Sequence, residues 1–240
     1  MSGEAARVAL VTGGSRGIGR AVGEALLERG FRLYFCGRSP GVVESAKREL
    51  YVRYPGRVDA RLCDVRRQEE VEALVAWVLE EAGRLDVLVN NAGLGRFAPV
   101  DEISGDDFRE QIETNLLGAF YAIRAAAPAM KQRGEGWIFN VASLAGKNAF
   151  AGGAAYNASK FGLLGLSEAA MLDLRPFGIR MAAICPGSVE TDFGSGVMKD
   201  GASWRLQPED VANVVTDLLD FPARALPSLI EIRPSRPPKK

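Results

Sequence analysis

Short apolar runs alternate with longer amphipathic ones from Val8 to Ile232. A short apolar run suits a strand buried on both faces, and an amphipathic run of a dozen residues suits a helix that covers it. Strict alternation of the two is the sign of βαβ units around a parallel sheet. The expectation is a single doubly wound α/β domain, its mostly parallel sheet flanked by helices on both faces. At 240 residues the chain has the length for one such domain over 1–240, and nothing forces a second.

The expected strands are 8–12, 32–36, 58–62, 87–89, 136–142, 180–184 and 229–232. The expected helices are 18–29, closed by Gly30, then 42–54, 68–82, a long one over about 107–133, 154–177 and 207–219 with Pro208 early in it. A basic, proline-rich tail over 233–240 is expected to fray or pack loosely.

Composition removes several classes of chemistry. Apolar residues make up 47% and charged residues 25%, as in ordinary globular proteins. With 30 basic and 30 acidic residues, there is no electrostatic case for nucleic acid or an anionic membrane. The chain has no histidine, which excludes His-ligated zinc, Ser-His-Asp triads and imidazole acid/base chemistry, and no metal site is expected. Cys36, Cys63 and Cys185 are far apart in apolar surroundings and read as small buried side chains. Residues 1–7 carry no signal-peptide pattern and no run is long and apolar enough to span a bilayer, so the expected location is cytoplasmic.

Thr12-Gly13-Gly14-Ser15-Arg16-Gly17-Ile18-Gly19 joins the first strand to the first helix. Glycines there permit positive φ and close approach of a ligand, and the helix N-terminus offers N–H groups and a positive dipole end to a pyrophosphate. A tight turn without a ligand is the other reading; the position after the first strand of a βαβ unit favours binding.

The spacing is G-x-x-x-G-x-G, and the loop resembles that of the short-chain dehydrogenases/reductases of the Tyr-x-x-x-Lys type. Further matches follow in order along almost the whole chain: Asp64-Val65, Asn90-Asn91-Ala92-Gly93, Asn115, Ser143, Tyr156 with Lys160, and Pro186-Gly187-Ser188-Val189-Glu190-Thr191. The resemblance implies a Rossmann-type fold and an oxidoreductase that interconverts a carbonyl and a secondary alcohol by hydride transfer. It implies a cofactor site of Gly13, Ser15, Arg16, Gly17, Ile18, Gly19, Asp64, Val65, Asn91, Ala92, Gly93, Pro186, Gly187, Val189 and Thr191, with Tyr156 and Lys160 beside it. Asp64 would contact the adenine, with a helix N-cap or turn as its bland alternative. Val189 and Thr191 would fix the nicotinamide carboxamide and the diphosphate.

The choice of cofactor has a physical argument. An NAD site usually has an acid at the end of the second strand to meet the ribose 2′-hydroxyl. Here the strand runs into Gly37-Arg38-Ser39, and no acid lies between Glu28 and Glu44. Arg38, with Arg16 from the glycine loop, would meet a 2′-phosphate instead, which points to NADP(H). Solvated surface charge is the competing reading of both arginines.

Tyr156 and Lys160 stand four apart, hence on one face of a helix. A neighbouring ammonium and an oxidised nicotinamide would lower the phenol from its usual ~10, so that Tyr156 could act as general acid/base. Tyr-x-x-x-Lys alone is common on helix surfaces; the company of Ser143 and Asn115 shifts the weight. The resemblance gives Ser143 a hydrogen bond to the substrate oxygen and Asn115 a water that links Lys160 to solvent.

Substrate contacts are expected from 94–97, 144–150 and a glycine-containing lid over about 192–205, with Phe97, Phe150, Phe193 and Trp204 making a partly apolar pocket. Arg96 and Lys147 stand where an anionic group could meet them, though solvated charge is the better reading. The end of the chain, Ala225 to Pro234, departs from the family's usual pattern. The stretch 154–177 is apolar on several faces, more than a sheet can cover, and predicts a homodimer or homotetramer. A non-catalytic NADP(H)-binding sensor or interaction protein on the same fold is the alternative, and such a protein should have lost Tyr156 or Lys160.

Overall fold

The computed structural model describes residues 6–191, 193 and 204–237. Seven strands, β1 (Val8–Thr12), β2 (Arg32–Gly37), β3 (Val58–Leu62), β4 (Val87–Asn90), β5 (Gly136–Val141), β6 (Ile179–Pro186) and β7 (Leu229–Ile232), form one sheet in the order β3-β2-β1-β4-β5-β6-β7. Every neighbouring pair is parallel. The chain starts in the middle, winds out to β3 on one side, then crosses back to β4 on the other. The order therefore reverses between β1 and β4, and the loops beyond them part to leave a crevice at the carboxyl ends of the strands.

The helices α1 (Gly17–Glu28), α2 (Pro40–Arg53), α3 (Gln68–Ala82), α4 (Gly105–Ile112), α5 (Gly118–Arg133), α6 (Ala154–Leu174) and α7 (Pro208–Leu219) cover both faces. Alternation along β2 shows how: Phe35 packs with Leu26, Phe139 and Val215 in one layer, while Tyr34 packs with Leu10, Trp77 and Met130 in the other. The central strands β1, β4 and β5 are buried at every position, which is why their sequences are continuous apolar runs. The edge strand β7 is only half-covered. Each fully buried Phe or Leu contributes about 1.5–3 kcal/mol, so the two layers hold the crevice on a stiff base.

The doubly wound fold, its strands and most helix ends agree with the sequence expectation to within about three residues. Two helices differ. The stretch expected as one helix over 107–133 is α4 and α5 joined by a π turn at Glu113–Leu117, in which the Gly118 N–H reaches back to Glu113 O. A β-carbon on Gly118 would lie 2.9 Å from Val65 Cγ2, so the chain comes close to the β3–α3 loop here. The extra residue in the turn accompanies the inward placement of Thr114 and Asn115, both buried. The second difference is that α6 stops at Leu174 and Arg175–Phe177 continues as a 3₁₀ turn around Pro176, which has no N–H to give. Of the expected lid, only Phe193, Trp204 and Arg205 lie within the described residues; of the tail, 238–240 lie outside them.

Candidate active site

A cleft of about 830 Å³ opens at the carboxyl ends of the strands. Most of the predicted site residues line it. Gly13, Ser15, Arg16, Gly17 and Ile18 form one wall; Arg38 and Val65 stand at one end; Asn91, Ala92 and Gly93 make the floor. Ser143, Tyr156 and Lys160 face Pro186, Gly187, Val189 and Thr191 across it. Gly19, Asp64 and Asn115 are not among the residues that line it.

The glycine loop is a cradle held by polar pins. Gly13 and Gly17 have φ of 65° and 54°, a conformation that favours glycine. Thr12 Oγ1 accepts from the N–H groups of Asn91 and Ala92 at 3.0 and 3.1 Å, and Asn91 Nδ2 donates to the carbonyls of Thr12 and Gly13 at 3.0 Å each. Gly19 lets that amide in: a β-carbon there would lie 2.3 Å from Asn91 Nδ2. Arg16, the N-cap of α1, supplies no side-chain cap. An uncapped helix N-terminus behind a glycine turn fits the phosphates of a dinucleotide.

At the far end, one carboxylate gathers three arginines. Glu110 Oε1 pairs with Arg38 and Arg66, each at 3.2 Å, and Oε2 with Arg96 at 2.9 Å. Burial pushes Glu110 up, but the Arg96 and Arg38 guanidiniums outweigh it and hold the carboxyl below its usual range. Arg38 thus faces the cleft with an ionic partner on its other side. The Asp64 carboxylate is engaged by Arg66 and is held low by that guanidinium. It does not cap α3, whose N-cap is Arg67; of the two local roles expected for it, Asp64 takes the turn, its Oδ1 accepting from Arg66 N at 3.1 Å.

Around Tyr156, burial sets the electrostatics of the chain alone. Burial pushes the phenol up to about 12, while a hydrogen bond from Ser143 pulls the other way. Burial pushes the Lys160 ammonium down to about 8. Lys160 Nζ donates to Val141 O at 2.9 Å and lies 5.8 Å from the Tyr156 ring centre, so it does not lower the phenol in the chain alone. The Asn115 amide donates to Leu94 O at 2.9 Å and Ser159 Oγ at 3.0 Å, and accepts from Leu94 N at 2.8 Å. Ser143 stands where expected, capping the 3₁₀ turn Leu144–Gly146 by accepting from Ala145 N at 3.1 Å.

Three features escaped the sequence reading. Fully buried Gln111 holds the backbone of Arg96 as Asn115 holds that of Leu94. Asn157 Nδ2 donates to Ala145 O at 2.6 Å and so staples the 144–150 segment to α6. Cys36 and Cys63, distant in sequence, meet at the cleft wall, and the hydrogen bond between the two thiols, together with burial, pushes the Cys63 thiol up. All three cysteines are buried and free, as expected. A spaced pattern could have suggested Gln111, since it lies four before Asn115 on the helix path; the thiol pair needs the sheet order. Arg96 and Lys147 are ion-paired rather than merely solvated, Arg96 with Glu110 and Asp107, Lys147 with Glu231.

Residues 7–201 match the short chain dehydrogenase family. The chain is 38% identical over 220 residues to a provisionally named ketoacyl reductase of Streptomyces coelicolor, covering 90% of this chain and 84% of that one. An alcohol dehydrogenase from the archaeon Thermococcus sibiricus, solved with 5-hydroxy-NADP, superposes with a TM-score of 0.90 at 32% identity over 98% of this chain and 99% of the other. A variant of actinorhodin polyketide ketoreductase, solved with NADPH, gives 0.88 at 34% identity over 98% of each. The chain belongs to the short-chain dehydrogenase family.

Proposed function

We propose that this member of the short-chain dehydrogenase family is an NADP(H)-dependent oxidoreductase that interconverts a carbonyl and a secondary alcohol. The observation that carries the reading is the meeting, in one cleft, of the glycine cradle with Ser143, Tyr156 and Lys160. The relatives solved with NADPH and 5-hydroxy-NADP support the cofactor.

Gly13, Ser15, Arg16, Gly17, Ile18 and the N-terminus of α1 would hold the diphosphate, with Gly19 making room behind them. Arg38 and Arg16 would take the 2′-phosphate; Val65 and the backbone around Asp64 would border the adenine, and Asn91, Ala92 and Gly93 would floor the site. Pro186, Gly187, Val189 and Thr191 would fix the nicotinamide end. The bound nicotinamide supplies or accepts the hydride. Tyr156 would hold the proton that the carbonyl oxygen takes up, and Ser143 would orient that oxygen with its hydroxyl. A phenol raised by burial keeps its proton until the site's charge changes, which suits a general acid in reduction. Lys160 would bring the compensating charge, and Asn115 would position the 94–97 loop and, through Ser159, the start of α6.

The whole chain would act as one catalytic domain. Among the described residues no helix is long and apolar enough to cross a membrane, and we read the location as cytoplasmic. Half-exposed Phe120 on α5 and Phe161 and Leu172 on α6 support a homodimer or homotetramer. The test is loss of NADPH absorbance against a panel of thioesters, diketones, quinones, aldehydes and cyclic ketones, with Tyr156→Phe as the blank. Turnover of one class that the variant abolishes supports the reading. Tight NADPH binding with no turnover would favour a cofactor-binding sensor.

A further inference from the structure

Three aromatic rings from three different loops gather at Tyr156. Phe97, after β4, stands edge-on to the phenol with 5.6 Å between ring centres and 78° between planes. Phe193, after β6, approaches it at 5.7 Å and 57°. Phe150, after β5, backs Phe97 at 5.7 Å. Each of the three is close to half exposed, although the core elsewhere buries its large aromatics.

Two glycines make room for these rings. A β-carbon at Gly95 would lie 2.8 Å from both Phe97 Cζ and Phe193 Cε1. One at Gly153 would lie 2.7 Å from the ring of Phe150. The rings come close to bare backbone, and a larger residue at either glycine would push a ring aside. Asn157 and Gln111 hold the two loops that carry Phe150 and Phe97.

Among the described residues, three cations at the rim of this end of the cleft already have carboxylate partners. Arg96 lies between Asp107 at 3.0 Å and Glu110 at 2.9 Å, Lys147 pairs with Glu231, and Arg205 faces Glu190 at 3.5 Å. An anionic substrate would have to displace a carboxylate to reach Arg96, Lys147 or Arg205. A flat π-system would instead meet ring edges and faces, each such contact worth roughly two- to tenfold in affinity beyond the area buried. Resting on the reading that Tyr156 works on a carbonyl, we propose that the substrate is an uncharged aromatic ketone or quinone, received against Phe97 and Phe193 where they line the cleft, with Phe150 backing Phe97.

The experiment compares 1-phenylpropane-1,2-dione with 1-cyclohexylpropane-1,2-dione, equal in skeleton and different in aromaticity, and with acetoacetyl-coenzyme A as an anionic probe. The wild type is expected to favour the phenyl dione at least tenfold in kcat/KM. In the Phe97→Leu/Phe150→Leu double variant that ratio should fall to within about threefold while the cyclohexyl dione is still reduced, which removes intrinsic ketone reactivity as the cause. Affinity of the two diones for NADPH-loaded Tyr156→Phe protein, by calorimetry, reads the slot without turnover. Preferential binding of the phenyl dione there, with no turnover in the wild type, would support the slot and sink the carbonyl-reduction reading. A ratio unchanged in the double variant, a preference for the thioester, or no binding of either dione would overturn the proposal.

Discussion

Gln111 and Arg96 are joined twice: the Gln111 amide accepts from the Arg96 N–H at 3.1 Å and donates to the Arg96 carbonyl at 3.2 Å. The pairing copies what a neighbouring strand would offer, and Asn115 repeats it two residues earlier on Leu94. Together the two amides give a loop with no ladder a fixed course between Gly93 and Phe97. Gln111→Leu should cost about 2 kcal/mol in urea unfolding, because both backbone groups lose their partner. It should also raise KM for any carbonyl turned over while KM for NADPH stays put, since Phe97 rides on the same loop.

Arg38 faces the cleft and leans on Glu110 at 3.2 Å. If it meets the 2′-phosphate, Arg38→Ala should raise KM for NADPH about ten- to a hundredfold, the worth of one charge-assisted contact, and leave NADH nearly unchanged. Steady-state kinetics with both cofactors decides it. Equal KM values for NADPH and NADH in the wild type would remove the role from Arg38.

Lys160 predicts a stability that depends on pH. Burial lowers it from 10.5 to about 8, so between those values the unfolded chain holds a proton that the folded chain has shed. Stability therefore rises with pH across that window. Tyr156, raised from 10.0 to about 12, keeps its proton when folded and reverses the trend above pH 10. Urea unfolding without added cofactor should show a gain from Lys160 of about 2 kcal/mol between pH 8 and 10, absent from Lys160→Met. Parallel curves for the two proteins would mean that the ammonium is not desolvated in the fold.

Gly19 is where the glycine loop tolerates least. A β-carbon would meet Asn91 Nδ2 at 2.3 Å and the Gly13 carbonyl oxygen at 2.4 Å, and the second of these is backbone. Gly19→Ala should lower the melting temperature and weaken NADPH binding at least tenfold, because it pushes away the amide that pins the cradle. Gly41→Ala, at a position with nothing within 4 Å, should leave NADPH binding unchanged. Thermal unfolding and NADPH fluorescence titration on both variants check the contrast.

Much of this site was legible in the sequence because its parts sit at strand ends, where a βαβ pattern fixes position. Thr12–Gly19, Asn91, Ser143 and Pro186 each follow an apolar run, so knowing the strands places them on one edge of the sheet. Tyr156 and Lys160 were legible through helical spacing. What stayed hidden depends on which elements become neighbours. The hold of Glu110 on Arg38 spans 72 residues and that of Asn115 on Ser159 spans 44, and neither has a periodic signature. The π turn at Glu113–Leu117 adds one residue to a helix, too small a shift to show in an apolar pattern. The raised phenol was missed because charge attraction is readable from spacing, whereas desolvation appears only once the packing is known.

The outer face of α6 gives the last prediction. Phe161 and Leu172 are eleven residues apart, three turns of helix, and so share one face; Gly165 lies between them with nothing within 4 Å of a built β-carbon. Both side chains are about half exposed, as is Phe120 on α5. Two large apolar side chains flanking a glycine let a second helix approach closely, and a two-fold partner would present the same face in return. Sedimentation at micromolar concentration should therefore find at least a dimer. Phe161→Glu/Leu172→Glu should be a monomer with an unchanged circular dichroism spectrum, because neither side chain is part of the buried core. A wild-type monomer at that concentration would show that the face is simply exposed.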